Sequence, residues 1–123
     1  MDIPKIALFT VLSALLSSNS FATNMWITVF PTQTYADGLY HGQCGINTDT
    51  PVLGLNCLTT KAGSTKLTFD CSGKMREKSV GANMNSSAQL ALVLGTNLAL
   101  YVSDTQTIDG ACLVKSLVVR KPT

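Results

Sequence analysis

The side chains in this chain that could do chemistry are four cysteines, one histidine and a small set of aromatics. Cys44, Cys57, Cys71 and Cys112 could ligate a metal or form disulfides. Their spacing matches no common zinc pattern, and His41 is the single imidazole that could join them. An even number of cysteines in a small exported chain reads as a disulfide framework, for which three pairings exist. Neither a metal nor a cofactor is expected.

A hydrolase would need a nucleophile, a base and a group to orient that base. His41 follows Tyr40 with no evident partner, and there is no Gly-x-Ser-x-Gly elbow and no His-Glu-x-x-His motif. Asp37, Asp49, Asp70, Glu77, Asp104 and Asp109 fall mostly in turns, where carboxylates cap backbone donors, and no pair stands out for glycoside cleavage. The expectation is a non-enzyme. Binding is the better use of the aromatics, because Trp26, Tyr35, Tyr40 and Tyr101 each combine a flat apolar face with a polar tip. Trp26 and Tyr101 also suit packing on the domain itself. Tyr40 and His41, just after a tight turn, are the expected ligand contacts, with Trp26 as the third.

The elements that must position these residues are mostly strands. Met25 to Phe30 is β-branched and aromatic and reads as the first, with Pro31 marking a bulge, a bend or an edge. Asp37-Gly38 signals a turn into a second strand over Leu39 to Ile46. Thr65 to Cys71 alternates with Leu67, Phe69 and Cys71 on one face, which predicts a third strand. Between Lys74 and Leu94 the apolar residues recur at steps of three and four, so one helix is expected there. Ser79 or Asn85 would be its N-cap, Gly81 weakens its first turn, and Gly95 would be its C-cap. Its segment Ala88 to Leu94 is more apolar than one buried stripe requires, so it either packs under loops or meets another subunit. Leu98 to Ser103 and Leu113 to Arg120 close the chain as strands around an Asp104 to Gly110 turn. The order β-β-β-α-β-β, five strands with a helix between the third and fourth, is that of a small barrel of the oligonucleotide/oligosaccharide-binding (OB) type.

Residues 1–22 read as a cleavable export signal. Lys5 precedes an apolar run from Ile6 to Leu16 that only Thr10 and Ser13 interrupt, and Ser20-Phe21-Ala22 supplies the small-x-small pattern for a cut after Ala22. At about 1.5 Å per residue that run is far shorter than the ~30 Å hydrocarbon core of a bilayer. What remains, residues 23–123, is expected to be one secreted or periplasmic domain with no membrane insertion after cleavage. Losing Lys5 and Asp2 leaves the net charge at +2, and no basic cluster forms, so nucleic acid is a poor partner.

From Gly42 to Val119 the chain resembles a group of small secreted bacterial proteins. The shared residues are Gly42-Gln43-Cys44, Gly54-Leu55-Asn56-Cys57 and Leu67-Thr68-Phe69-Asp70-Cys71-Ser72-Gly73. Ser87-Ala88-Gln89-Leu90-Ala91, Leu100 to Asp104 and Gly110-Ala111-Cys112 complete the resemblance. That group is in turn similar to the B subunits of pertussis-like and subtilase-type toxins, OB barrels that form rings and bind sialylated glycans. The resemblance implies a glycan or host-protein binder that can form a homo-oligomer, with no binding residue carried over. It also implies Cys44–Cys57 and Cys71–Cys112 as disulfides. Cys44–Cys71 with Cys57–Cys112 equally suits antiparallel second and third strands. Thr105 to Gly110 departs from the Lys/His-rich turn of the group. A different reading is a periplasmic structural or inhibitory protein that binds another bacterial protein.

Overall fold

The computed structural model describes residues 23–61 and 63–121; the expected signal, residues 1–22, lies outside the described residues. The described residues are mainly β with one helix. Strands β1 (Asn24–Val29), β2 (Pro31–Ala36), β3 (Cys44–Thr48) and β4 (Lys66–Thr68) precede helix α1 (Lys78–Leu94), and β5 (Leu98–Ile108) and β6 (Ala111–Val119) follow it. All six strands form one sheet in the order β1-β5-β6-β4-β3-β2. The β4–β6 pair is parallel and the other pairs are antiparallel.

Six strands therefore replace the expected five, and the sheet is not closed into a barrel by any ladder between β1 and β2. The extra strand arises at Phe30, which separates β1 from β2. Pro31 cannot donate a backbone hydrogen bond, so a single ladder cannot run through it. Upstream the chain pairs with β5, from Asn24↔Ser103 to Val29↔Leu98. Downstream it pairs with β3, with a bulge between Pro31 and Gln33. The two edges of the sheet are thus consecutive in the chain.

The core lies between the inner sheet face and α1. Val29, Ile46, Leu67, Phe69, Leu98, Leu100, Val102 and Val114 fill it, and burying a side chain the size of Phe69 contributes about 2–3 kcal/mol. The helix turns only Gly81, Ala88 and Ala91 fully inward. A Cβ on Gly81 would stand 2.3 Å from the Asp70 carbonyl oxygen, so the first turn needs glycine for close approach. The helix starts after Glu77 with no side-chain cap, rather than at Ser79 or Asn85. It ends, as expected, at Gly95 in the left-handed conformation.

Asp70 shortens the expected third strand. It is fully buried with φ +60°, and that left-handed step turns the chain out of β4 toward α1. Its carboxylate accepts the Met75 amide at 2.7 Å, the Ser72 amide at 3.2 Å and the Ser72 hydroxyl. Burial alone would push its pKa up; these hydrogen bonds outweigh that and hold it below the ordinary 3.8. Arg76, whose own pKa burial lowers, reaches from the same loop to the Val114 carbonyl on β6.

The disulfides are Cys44–Cys71 and Cys57–Cys112, with Cα atoms 5.6 and 5.4 Å apart. This corrects the pairing that the resemblance implied. Antiparallel β3 and β4 carry Cys44 alongside the chain leaving β4, where the Phe69 amide bonds the Cys44 carbonyl at 3.1 Å. The Asn56–Cys57 loop instead crosses to the foot of β6, where the Leu58 amide bonds the Gly110 carbonyl at 2.9 Å.

Non-reducing peptide mapping is expected to give Cys44–Cys71 and Cys57–Cys112 peptides, and C57S/C112S is expected to cost about 3–4 kcal/mol in denaturant unfolding. Asp70→Asn is expected to cost about 1.5–3 kcal/mol near neutral pH. Because the folded carboxylate has a lowered pKa, its contribution is complete above 3.8 and disappears as pH falls through the folded value. Melting curves of the two proteins should therefore converge in acid.

Candidate functional site

The segment between β2 and β3, residues 37–43, carries the expected contact residues Tyr40 and His41. They lie on a loop rather than in the expected strand over Leu39 to Ile46. Asp37 explains the difference. Its carboxylate accepts the Leu39 and Tyr40 amides at 2.9 and 3.2 Å, an Asx turn that takes these donors from any ladder. Those same bonds chiefly hold the Asp37 carboxyl below its ordinary pKa, with weaker help from the nearby charges of His41 and Lys66. The loop closes as the Asp37 amide bonds the Gln43 carbonyl at 2.8 Å, and His41, Gly42 and Gln43 all take positive φ.

This geometry turns Tyr40 outward, 57 % exposed, beside the more exposed Leu39. His41 is half-buried and held at its backbone from two sides. Its amide donates to the Asp109 carboxylate at 2.9 Å, and its carbonyl lies 2.9 Å from the Tyr35 hydroxyl. Burial pushes the Tyr35 phenol up, so it remains a donor, shared between the His41 carbonyl and the Leu67 carbonyl at 3.0 Å. The His41 ring meets the Tyr35 and Tyr40 rings with centroids 6.4 Å away in each case, while Lys66 Nζ sits 4.3 Å over the opposite aromatic, Tyr35. His41 Nδ1 is enclosed, and among the described residues no hydrogen-bond partner meets it. The result is an aromatic cluster with a cation beside it and one exposed ring.

Asp109 belongs to the two-residue turn Asp109-Gly110, both residues at positive φ, which joins β5 to β6. The expected seven-residue turn (104–110) is much shorter, because β5 continues to Ile108. The loop carrying Tyr40 and the tip of the last hairpin are therefore one continuous surface.

Trp26 lies elsewhere. It pairs with Tyr101 across β1 and β5, with ring centroids 5.3 Å apart, and remains 55 % exposed on the outer sheet face. Seven residues of β5, Val102 to Ile108, lie between Tyr101 and Asp109, a run of roughly 25 Å at strand rise. Trp26 is thus not brought together with Tyr40 and His41. Sequence reasoning missed Lys66 as a neighbour of Tyr35 and Asp109 as a neighbour of His41; the Asp-Gly dipeptide at 109–110 was the signal for a tight hairpin tip.

A concave region of about 450 Å³ lies beside the Cys57–Cys112 disulfide and is lined by Asn56, Leu58, Asp104 and Thr107 among others. Among the described residues no group of three or more His, Cys, Asp or Glu side chains could hold a metal ion, and no helix is long and apolar enough to cross a membrane. No family model, curated protein or solved structure matches this chain.

Asp109→Ala removes the acceptor for the His41 amide. Hydrogen exchange at His41 is expected to speed up about tenfold, a loss near 1.4 kcal/mol, while exchange at Leu100 and Val102 in the core stays unchanged.

Proposed function

We propose that the mature chain is a secreted or periplasmic, non-enzymatic binding module that takes a glycan at the Tyr40–His41 loop. The observation that carries this reading is the His41 amide to Asp109 carboxylate bond at 2.9 Å, which joins the loop between β2 and β3 to the last hairpin tip. If the bent segment β1–Phe30–β2 is counted as one first strand, the strand order and the parallel β4–β6 pair follow an OB arrangement. The two joined loops then correspond to those with which such barrels hold oligosaccharides and oligonucleotides. The weak positive charge and the lack of a basic stripe favour the oligosaccharide.

In this reading Tyr40 supplies a stacking face for a sugar ring, and Lys66 supplies a cation at the rim. The disulfides suit an oxidising compartment. Trp26 with Tyr101 is a separate surface. A protein partner is the second reading, favoured by the exposed Leu90, Val93 and Leu94 of α1, a face that would equally serve a homo-oligomer.

On a glycan array, Tyr40→Ala is expected to weaken binding about thirtyfold, near 2 kcal/mol, with an unchanged melting temperature, and Trp26→Ala is expected to bind as the parent does. An array blank for the parent protein would overturn the glycan reading.

A further inference from the structure

The start of β1 is held in an unusual way. The Thr23 amide nitrogen stands 2.8 Å from Asp104 Oδ1, and the Asp104 amide returns a bond to the Thr23 carbonyl at 3.0 Å. The pair extends the β1–β5 ladder one step beyond Asn24↔Ser103. The acceptor for the Thr23 nitrogen is a carboxylate rather than a backbone carbonyl. The second oxygen of that carboxylate takes the Asn56 amide at 3.2 Å, so Asp104 gathers β1, β5 and the loop leading to the Cys57–Cys112 disulfide. Thr23 is also the residue that directly follows the small-x-small pattern Ser20-Phe21-Ala22.

We propose that cleavage after Ala22 creates an ion pair between the new Thr23 α-ammonium and the Asp104 carboxylate, so that β1 is fully fastened only in the processed chain. The proposal rests on the export reading above. Hydrolysis breaks the Ala22–Thr23 C–N bond; water adds its hydroxyl to the Ala22 carbonyl carbon and a proton to the Thr23 nitrogen. At neutral pH the new carboxyl group releases a proton and the new amine takes one up, which converts a neutral N–H donor into an ammonium. The distance already present is that of a charge-assisted N–H···O bond, about 2.7–2.9 Å. An α-amino group has an ordinary pKa near 7.7–8.0, so it is charged in a neutral periplasm or medium. In the unprocessed chain the same Thr23 nitrogen is a neutral amide, which brings no charge of its own to the carboxylate. Processing therefore adds stability without moving an element.

The test uses the full chain exported from a bacterial host. Intact mass is expected to show a mature protein beginning at Thr23; a different first residue overturns the proposal. The α-amine is then acetylated selectively at about pH 6.5, where lysines are almost wholly protonated. Acetylation is expected to lower the melting temperature by about 4 °C at low salt, less at about 1 M salt, and not at all in Asp104→Asn. An unchanged melting temperature in the wild type, or an equal drop in both proteins, overturns the ion pair. Should Asp104→Asn fail to fold, the wild-type response and its salt dependence decide the question alone. Tyr40-dependent glycan binding is read separately, so failure of the binding reading leaves this result intact.

Discussion

The closeness of α1 to the chain leaving β4 is the constraint from which much of this structure follows. Only glycine fits where Gly81 faces the Asp70 carbonyl, and only alanine occupies the other inward positions, Ala88 and Ala91. With so little helical side chain inside, the core is built almost entirely by the sheet, through Ile46, Leu67, Phe69, Leu100 and Val114. The approach also fixes the link before the helix, where Asp70 turns the chain and ties down the loop that follows. The cost is paid outside: the larger helical residues Leu90, Val93 and Leu94 face away from the core, and Val93 is 83 % exposed.

Much of the fold was legible because its signals are local. Alternation around Leu67 and Phe69, the three- and four-residue steps before Leu94, and Gly95 as a cap all depend on near neighbours. What could not be read depended on contacts distant in sequence. Pro31 signalled a break, but only the separate partners β5 and β3 make the halves different strands. Gly81 reads as a weakness in isolation and becomes a requirement once the Asp70 backbone lies against it. The disulfide pairing followed the antiparallel β3–β4 geometry, whereas the resemblance pointed to a local clip.

The candidate site was legible in its residue types and less so in its placement. Tyr40 is exposed, and four of the six carboxylates read as lying mostly in turns cap backbone donors there: Asp37, Asp70, Asp104 and Asp109 each accept at least one amide, whereas Glu77 starts α1 with no side-chain cap. Asp37 does so well enough to remove Tyr40 and His41 from the strand expected for them. Trp26 belonged to a different surface, since a strand residue's neighbours are set by register, which no single segment of sequence discloses. Lys66 joined the cluster through the same long-range pairing.

The break at Phe30 bears on the order in which the molecule assembles. β5 and β6 are joined by a two-residue turn and can zip locally, and β2 and β3 are close in sequence. β1, by contrast, must find β5 across nearly the whole domain, and such non-local pairing carries the larger loop-closure entropy. Of the pairings in the sheet, that of β1 with β5 spans the longest stretch of chain and is therefore expected to form last. Until β1 docks, the edge of β5 stands open as a template for a neighbouring chain, and the kinetic hazard of this protein is concentrated along that single edge.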